Sequence, residues 1–386
     1  MVPSYFPAIR YGGPIRSVHG LARGLAARGH EVHVFTTNVD GPRDLEVPLG
    51  RAVDIDGVGV WYFPARLGRR LFRAPQMQAA LDRSIAGFDV VHTHSVFLWP
   101  TTVAARTARA HGIPYVLAPR GMLVPELVTR RSGLAKRAWI AAFERSNIAH
   151  AAALHVTSEL EASDLARMRL PVRRVLVVPN AVDVPDVEDA DHAGRPHDRP
   201  YVLFLGRMNW KKGLDRLIPA MGRLAEMDLV IAGNDEESYR PTLEELARAH
   251  GITDRVRYLG PVDGELKWRL LRHASVLALP SYSENFGIVV LEAMAVGAPV
   301  VVTPEVGLAS AVEASGAGLV AAGDPASFAA ALARVLADPA QARAMGEAGR
   351  RLVADRYSWA AVAAEMEAGY RGLVSPERAN SHRVDA

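Results

Sequence analysis

The sequence predicts an α/β protein of two domains, each a parallel β-sheet covered by helices. Apolar strand patterns alternate with helical patterns in both halves of the chain, which is typical of βαβ units. A polar segment without periodicity, residues 185–200, separates the halves, and a strand, a glycine turn and a helix follow from Tyr201. Because the chain has 386 residues, it is long enough for two hydrophobic cores.

The chain begins with an incomplete strand pattern. Only two residues precede Pro3, so the first strand expected of such a domain is nearly absent. Either the start lies too far downstream or the sheet lacks a central strand, and we favour the former. Gly12 and Gly13 then precede Pro14 and a helix with an apolar stripe. A glycine pair at this point lets a ligand approach the backbone, although a plain turn would use it as well.

Polar side chains stand at the ends of two predicted strands in the first half. Apolar runs predict strands at 31–37, 58–64, 88–94 and 113–119. His92 and His94 end the third strand, and Arg120 follows the fourth. Ligands of parallel sheets bind beyond the carboxyl ends of the strands, which makes His94 and Arg120 candidate site residues. A histidine at a strand end is also a common structural hydrogen-bonding group.

A basic and apolar segment follows at residues 128–147. It fits an amphipathic helix that rests on anionic lipid, or a helix packed on the core with a solvated basic face. The side chains proposed to meet the lipid are Arg130, Arg131, Lys136, Arg137 and Trp139.

The second half places cations in its first turn. The strand Tyr201–Leu205 leads into a loop that carries Arg207, Lys211 and Lys212. A guanidinium and an ammonium in one strand-to-helix loop suit a diphosphate and can stabilise it as a leaving group. Further strands follow, with helices predicted at 241–249 and 262–272.

Two carboxylates stand eight positions apart in the stretch Pro280–Met294. If Glu284 and Glu292 lay on one helix, they would be about 12 Å apart along its axis, which suits an acid/base pair poorly. They suit an elongated ligand that is bound at two places, with the helix start near Gly287 offering free N–H groups to an anion. A diphosphate with a sugar at one end and a nucleoside at the other has this shape. The alternative is two solvated acids at the start of a surface helix.

The run ENFGIVVLEAMAVGAPVV, from Glu284 onward, resembles the Glu-x7-Glu signature of retaining GT-B glycosyltransferases, especially family 4. The resemblance implies that Glu284 holds sugar hydroxyls and that Glu292 holds the nucleotide ribose. It also implies that backbone amides meet the phosphates, which makes donor-binding residues of Asn285, Phe286, Gly287 and Ile288.

The resemblance covers nearly the whole chain and implies two Rossmann-like domains that face an interdomain cleft. The implied division is an acceptor-side domain 1–184, a linker 185–200, a nucleotide-sugar domain 201–357, a helix 358–374 that crosses back to the first domain, and a tail 375–386.

Further site residues follow from the same resemblance. Arg207 and Lys212 would stabilise the departing diphosphate, and the loop of Gly12 and Gly13 would lie over the reaction centre. The nucleotide base would lie near Gly233 and Val262.

The sequence departs from the better-known family pattern at Arg120. Several members have a histidine there, whereas the Pro-Arg-Gly-Met-Leu version resembles a subgroup met in envelope and extracellular polysaccharide assembly. A guanidinium cannot act as a base, so Arg120 would stabilise phosphate or acceptor charge instead.

The predicted function is therefore a retaining glycosyltransferase that moves a sugar from a UDP- or GDP-sugar to a hydroxyl of a glycan or lipid-linked glycan. No side chain stands at the place of a nucleophile, which favours front-face transfer. No Asp-x-Asp pair lies in a suitable loop, so we expect no metal and no cofactor. The alternatives are a nucleotide-sugar epimerase or hydrolase and a non-catalytic nucleotide-sugar binder. A Gly-x-Gly-x-x-Gly loop followed by a ribose-binding acid is missing, which argues against an NAD enzyme.

The composition limits the cellular location and the binding partners that we expect for the protein. The chain has no cysteine, so disulfides and thiolate metal sites are excluded. No run of about 18 apolar residues and no export signal is found. We expect a cytoplasmic protein that contacts the inner face of the plasma membrane. The sequence has no nucleic-acid motif and no aromatic-basic interleaving, so no nucleic-acid partner is expected.

Overall fold

The structure, a computed structural model, describes residues 1–8, 13–130, 133–183, 194–224 and 226–374. The chain divides into two compact units, of which the second is Ala181–Ser358; the first comprises Met1–Asn180 and the chain from Trp359 onward. The predictions for Gly12, for Arg131, for most of the 185–200 linker and for the 375–386 tail lie outside the described residues.

The first unit contains nine short strands among its described residues, most of them in parallel pairs. They are β1 (His33–Thr37), β2 (Val39–Asp40), β3 (Arg43–Asp44), β4 (Ala52–Ile55), β5 (Val58–Phe63), β6 (Val91–His94), β7 (Tyr115–Ala118), β8 (Ala153–Val156) and β9 (Val175–Val177). β6 to β9 form a parallel sheet in chain order, and β1 pairs in parallel with β5. β4 pairs with β5 as an antiparallel hairpin, which the sequence analysis did not include.

The segment Met1–Ser4 supplies backbone hydrogen bonds to two strands. Val2 N donates to the Phe35 carbonyl oxygen of β1 at 3.2 Å, and His94 N of β6 donates to the Met1 carbonyl oxygen at 3.0 Å. These four residues therefore lie between β1 and β6, where a central strand would lie. Two apolar residues before a proline are too few for periodicity to indicate a strand.

The first unit's helices cover the strands. They are α1 (Gly13–Ala26), α2 (Pro75–Ser84), α3 (Trp99–Ala110), α4 (Pro125–Arg130), α5 (Gly133–Trp139), α6 (Arg145–His150) and α7 (Glu159–Arg167). In α1 the predicted apolar stripe is buried, because residues spaced three and four apart share one helix face.

The basic segment 128–147 is not the single regular helix that we expected. α4 ends at Arg130, and α5 continues into α6 through a π-helical turn, Ile140–Glu144. The Glu144 side chain is buried there, and it accepts hydrogen bonds from Phe97 N at 2.8 Å and from Trp139 Nε1 at 3.0 Å. Burial raises the pKa of Glu144. The indole of Trp139 therefore bonds inward to Glu144, whereas Leu134 is 85% exposed.

The second unit contains a six-stranded parallel sheet. Its strands are β10 (Tyr201–Leu205), β11 (Asp228–Ala232), β12 (Val256–Gly260), β13 (Val276–Leu279), β14 (Val300–Val302) and β15 (Gly318–Val320). The spatial order is β12-β11-β10-β13-β14-β15. Taken in chain order this is the doubly wound order 3-2-1-4-5-6, which reverses direction between β10 and β13. Loops that follow those two strands therefore line the usual ligand site of such a sheet.

Helices cover the sheet of the second unit. They are α8 (Leu214–Met221), α9 (Arg240–Ala249), α10 (Gly264–His273), α11 (Ile288–Ala295), α12 (Ala309–Ser315), α13 (Pro325–Ala337) and α14 (Pro339–Arg356). α11 is almost wholly buried and apolar, so Glu292 is a polar exception on it. A carboxylate on a largely buried, apolar helix requires an oppositely charged or hydrogen-bonding partner.

The last helix, α15 (Trp359–Arg371), belongs to the first unit. It packs on α1, where the absence of a side chain at Gly20 makes room for it: a Cβ there would lie 2.1 Å from the Trp359 ring. Arg28 Nε also donates to Glu367 at 2.6 Å. This confirms the predicted return of the final helix to the first domain. Within the described ranges, no helix combines the length and the apolar character needed to cross a membrane.

Candidate active site

In the second unit, two loops that follow neighbouring strands meet through a glycine. Gly213 adopts a left-handed backbone with φ 68°, and a Cβ there would lie 2.0 Å from the Pro280 carbonyl oxygen. The loop after β10 can therefore lie against the loop after β13. As a result Lys212 Nζ forms an ion pair with Glu284 Oε2, and these side chains are only 16% and 18% exposed. The structure thus brings together two residues that the sequence separates by 72 positions.

The start of α11 lies beside this ion pair. Gly287 caps the helix with φ 93°, a left-handed conformation that suits glycine. Glu284 N donates to the Glu305 carbonyl oxygen at 3.0 Å, and Leu308 N donates to the Phe286 carbonyl oxygen at 3.1 Å, so the approach to the helix is fixed. Val290 N donates to the Gly287 carbonyl oxygen at 2.8 Å, so the amides of Ile288 and Val289 precede the first hydrogen bond of α11 and lie at its positive dipole end. This geometry suits an anion next to Lys212.

Arg207 lies in the same loop as Lys212 but makes a different contact. Its side chain is 62% exposed, and Nη1 donates to Glu236 Oε1, in the loop after β11, at 2.8 Å. Asn209 Nδ2 donates to the other oxygen of Glu236 at 3.3 Å. The sequence analysis missed Glu236, because no pattern shows which side chains of neighbouring loops will meet.

The second carboxylate of the predicted signature also has a lysine partner. Lys267 Nζ, on α10, lies 2.9 Å from Glu292 Oε1, and the two side chains are 11% and 14% exposed. The sequence analysis missed Lys267. One signal could have found it: the chain has only four lysines, and three of them are Lys211, Lys212 and Lys267.

The residues predicted near the base occupy turns at the same edge of the sheet. A Cβ at Gly233 would lie 1.8 Å from the Gly206 carbonyl oxygen, so this glycine lets the loops after β10 and β11 pack together. Val262 lies half-buried between β12 and α10. Their predicted contact with a nucleotide base stays a prediction.

In the first unit, His94 and Arg120 are brought together at the ends of β6 and β7. Arg120 Nη2 lies 3.1 Å from His94 Nδ1, and its Nη1 donates to Asn180 Oδ1 at 2.9 Å. Arg120 has φ 55°, a left-handed conformation that is uncommon outside glycine. Burial lowers its pKa to about 10. The turn is fixed by buried Glu161, which accepts a hydrogen bond from Gly121 N at 2.6 Å.

A buried chain of hydrogen bonds extends from this cluster. His155 Nε2 lies 2.8 Å from the Val178 carbonyl oxygen, and His155 Nδ1 lies 3.3 Å from His92 Nε2. His92 Nδ1 lies 2.6 Å from the hydroxyl oxygen of Tyr370. Burial lowers the pKa of His92 and His94 well below their usual value, and it lowers that of His155 to about 3, with the charge of Arg120 adding to the effect.

Because the histidine rings are neutral, each has one donor and one acceptor nitrogen, and this decides which atom donates in each of these hydrogen bonds. A carbonyl oxygen only accepts, so His155 carries its proton on Nε2 and accepts on Nδ1. His92 must then donate from Nε2, and its Nδ1 accepts from the Tyr370 hydroxyl. The sequence analysis named His92 only as part of a strand end and missed His155 and Tyr370.

Two remaining expectations concern the glycine pair and a metal. Gly13 begins α1, and a Cβ there would meet nothing within 4 Å. Within the described parts of the chain, no three His, Asp or Glu side chains gather as a metal site would require. The role of Gly13 and the expected independence from metals both stay predictions.

The arrangement defines what each unit offers a ligand. The second unit presents a partly buried ammonium, a helix start and two partly buried carboxylates near the switch point of its sheet. This combination suits a diphosphate flanked by hydroxyl-bearing groups. The first unit presents a buried guanidinium and neutral histidines at strand ends, which suits an anionic or polar group.

The chain is similar to known glycosyltransferases over nearly its whole length. Residues 187–352 match the family described as glycosyl transferases group 1, and residues 12–181 match the family described as a glycosyl transferase 4-like domain. The D-inositol 3-phosphate glycosyltransferase of Xylanimonas cellulosilytica is 34% identical, with 92% of this chain and 90% of that protein covered. An uncharacterized glycosyltransferase of Methanocaldococcus jannaschii is 30% identical, with 96% and 97% covered.

A solved structure shows the same architecture. The sucrose-phosphate synthase from Thermosynechococcus elongatus matches with a TM-score of 0.76 and 26% identity, covering 94% of each chain. The two halves of the present chain match two glycosyltransferase families, and its relatives align over nearly its whole length. The chain therefore belongs to glycosyltransferase family 4 and has the GT-B fold.

Proposed function

We propose that the protein transfers a sugar, with retention at the anomeric carbon, from a nucleoside-diphosphate sugar to an acceptor hydroxyl. The observation that carries the proposal is the contact of Lys212 with Glu284 beside the start of α11. A cation and a helix start can bind a diphosphate, while the adjacent carboxylate can accept hydrogen bonds from sugar hydroxyls.

The proposed donor lies across the second unit's sheet edge. Lys212 and the first amides of α11, around Ile288, neutralise the diphosphate. Glu284 accepts hydrogen bonds from the sugar, and Glu292 accepts them from the ribose. Arg207, which is exposed, turns from Glu236 to the phosphates when the donor binds. The remaining proposed donor contacts are Asn285, Phe286, Gly287, Gly233 and Val262.

The proposed chemistry is a front-face displacement. The bond between the anomeric carbon and the phosphate oxygen breaks, and the acceptor oxygen bonds to the same face of that carbon. The acceptor proton passes to the departing diphosphate, so no protein base is required. Lys212 and the helix start act where negative charge develops, and such contacts contribute most to the rate when water is excluded. His94, Arg120, Gly12 and Gly13 orient the acceptor and the reacting face.

The proposed acceptor is a glycan or lipid-linked glycan of the bacterial envelope or of an extracellular polysaccharide. It is supported by the Pro-Arg-Gly-Met-Leu motif around Arg120. D-inositol 3-phosphate is the alternative, since a relative that is 34% identical is named for it. Both acceptors present a hydroxyl, and the second also carries a phosphate.

We also propose that α5 contacts the inner leaflet of the plasma membrane. Leu134 is 85% exposed, and exposed Arg137 and half-buried Lys136 stand on the same short helix. An apolar side chain among cations suits an anionic lipid surface. The lipid contacts predicted from the sequence also include Arg130, Arg131 and Trp139. Sedimentation with vesicles, with and without phosphatidylglycerol, tests this: Leu134→Ser should reduce binding to the anionic vesicles.

The transfer reaction is tested with a panel of UDP-, GDP- and ADP-sugars and both acceptor classes. One donor should stabilise the protein thermally, and that effect should be lost in Glu292→Ala and kept in the control Glu313→Ala, which changes an exposed residue of α12. NMR of the product should show the donor's anomeric configuration, and EDTA should leave the rate unchanged.

Three outcomes would contradict parts of this proposal. Indifference to every nucleotide sugar would remove the donor site. Release of free sugar without dependence on acceptor would indicate a hydrolase, and donor binding without turnover would indicate a binding protein.

A further inference from the structure

Glu292 has one hydrogen-bond partner among the described residues, and that partner contacts only one of its oxygens. Lys267 Nζ lies 2.9 Å from Oε1. Both side chains are nearly buried, at 11% and 14% exposure. A pair of this kind holds its geometry because separating it would leave a desolvated charge on each side. The arrangement leaves Oε2 available to accept hydrogen bonds from a ligand.

Lys267 is itself held in place by its own helix. α10 begins at Gly264, directly after Asp263 and Val262. The ammonium lies 4.3 Å from the centre of the Trp268 ring, a cation–π contact that restricts a long side chain. Lys267 thus contacts Glu292 from the helix that directly follows the turn at Val262, and we propose that this turn lies near the nucleotide base.

We infer that Lys267 is a positioning residue that makes the nucleotide site selective for ribose: by holding Oε1 of Glu292, it turns Oε2 toward the 2′ and 3′ hydroxyls of a nucleoside diphosphate. This inference rests on the proposed function, because it assumes that a nucleoside diphosphate binds here. It assigns a role to a lysine on a different helix from the Glu-x7-Glu signature.

The inference distinguishes two kinds of ligand. A ribose offers two hydroxyl donors to the held carboxylate, whereas a 2′,3′-dideoxyribose offers none and leaves a buried carboxylate oxygen without a new partner. Sites built to bind a hydroxyl reject analogues that lack it, because the site's polar groups are then unpaired. The change in nucleotide affinity caused by replacing Lys267 should therefore be large for a ribonucleotide and small for a dideoxynucleotide.

The experiment measures the affinity of the full-length protein for UDP, GDP and ADP by calorimetry, and then compares the tightest with its 2′,3′-dideoxy form. The wild type should prefer the ribonucleotide. Lys267→Met keeps the length of the side chain but removes the charge, and it should weaken ribonucleotide binding about ten-fold or more. It should leave dideoxynucleotide binding within about two-fold. Glu292→Gln should behave in the same way.

Two further variants separate positioning from folding. Lys267→Arg keeps a cation near Glu292 and should restore much of the preference for ribose. Arg248→Met removes an exposed cation from the neighbouring helix α9 and should change neither affinity. The double variant Lys267→Met, Glu292→Gln should lose no more ribose preference than either single variant, because the two residues act as one unit.

The outcomes separate this inference from the proposed function. If Lys267→Met weakens both forms equally, or weakens neither, the inference is wrong while the donor site stands. If the wild type binds none of the three nucleoside diphosphates, the proposed function fails and this inference fails with it.

Discussion

Tyr370 on the last helix and His92 on β6 are joined by a hydrogen bond of 2.6 Å across 278 residues of sequence. The bond continues through His155 to the Val178 carbonyl oxygen. It therefore ties α15 to strand ends that carry His94 and Arg120. Every group in this series of hydrogen bonds is buried or partly buried, so water cannot readily replace a lost donor. Removal of the Tyr370 hydroxyl therefore leaves the acceptor on His92 unpaired.

Tyr370→Phe should lower the free energy of unfolding by about 1–3 kcal/mol, the cost of an unsatisfied buried group. Urea denaturation measures it. Tyr258→Phe is the matched control, since the Tyr258 hydroxyl is buried without a partner among the described residues. Removing that hydroxyl should cost nothing or stabilise the protein. Equal effects of the two variants would show that the Tyr370 hydroxyl makes no useful bond.

Stability should fall as the pH falls below about 6.5, the usual pKa of histidine. The pKa values of His92, His94 and His155 are lowered in the folded protein, for His155 to about 3, chiefly by burial. The unfolded chain therefore takes up protons that the folded chain does not, and each proton costs about 1.4 kcal/mol per pH unit. Above pH 6.5 the three histidines are largely neutral in both the folded and the unfolded protein, so they do not change the free energy of unfolding there.

Urea denaturation at pH 7.5, 6.5 and 5.5 measures this dependence before most carboxylates titrate. His155→Asn should reduce the slope below pH 6.5, whereas Tyr258→Phe should leave it unchanged. A wild-type protein as stable at pH 5.5 as at pH 7.5 would contradict the prediction.

Alternating apolar runs were sufficient to predict the two sheets and the helices of the second unit, where α9 and α10 lie within two residues of the predicted helices. Burial of whole strands makes such runs easy to recognise. The β4–β5 hairpin and the segment Met1–Ser4 were not recognised, since short strands give too little periodicity.

The candidate site could be predicted in part. Glu284 and Lys212 were both named from the sequence, but nothing in it shows that the turn at Gly213 brings them into contact. Lys267 and Tyr370 were missed for the same reason. Periodicity assigns a side chain to a helix face, whereas the residue that meets this face is decided by how distant elements pack.

Gly213→Ala should separate the two loops of the donor site. A Cβ at this position would lie 2.0 Å from the Pro280 carbonyl oxygen, and φ is 68°. We expect a loss of sugar transfer of about 100-fold, since small displacements of positioning groups have effects of this size. The control is Gly251→Ala, where φ is 66° but nothing lies within 4 Å of a Cβ.

Gly251→Ala should cost only the left-handed backbone, about 1–2 kcal/mol of stability, and should leave the specific activity of the folded protein unchanged. Thermal unfolding and initial rates measure both effects. The contact at Pro280 would be irrelevant to the reaction if the two variants kept equal specific activity.

Lys212→Met should lower kcat far more than Arg207→Met does. The Lys212 side chain is 16% exposed and contacts Glu284, whereas Arg207 is 62% exposed and bonds to Glu236. A buried ammonium acts on a developing charge in a low dielectric, so its loss should cost about 100- to 1,000-fold in kcat. An exposed guanidinium is screened by water, so Arg207→Met should raise KM and reduce kcat by about ten-fold or less.

Steady-state kinetics with the donor found in the panel measure both variants. The difference in kcat between the two variants arises because water alone stabilises the negative charge on the departing diphosphate poorly. A donor with a better leaving group should therefore restore part of the kcat of Lys212→Met and little of that of Arg207→Met. Equal losses in the two variants, or a larger loss in Arg207→Met, would place the developing charge nearer to Glu236 than to the start of α11.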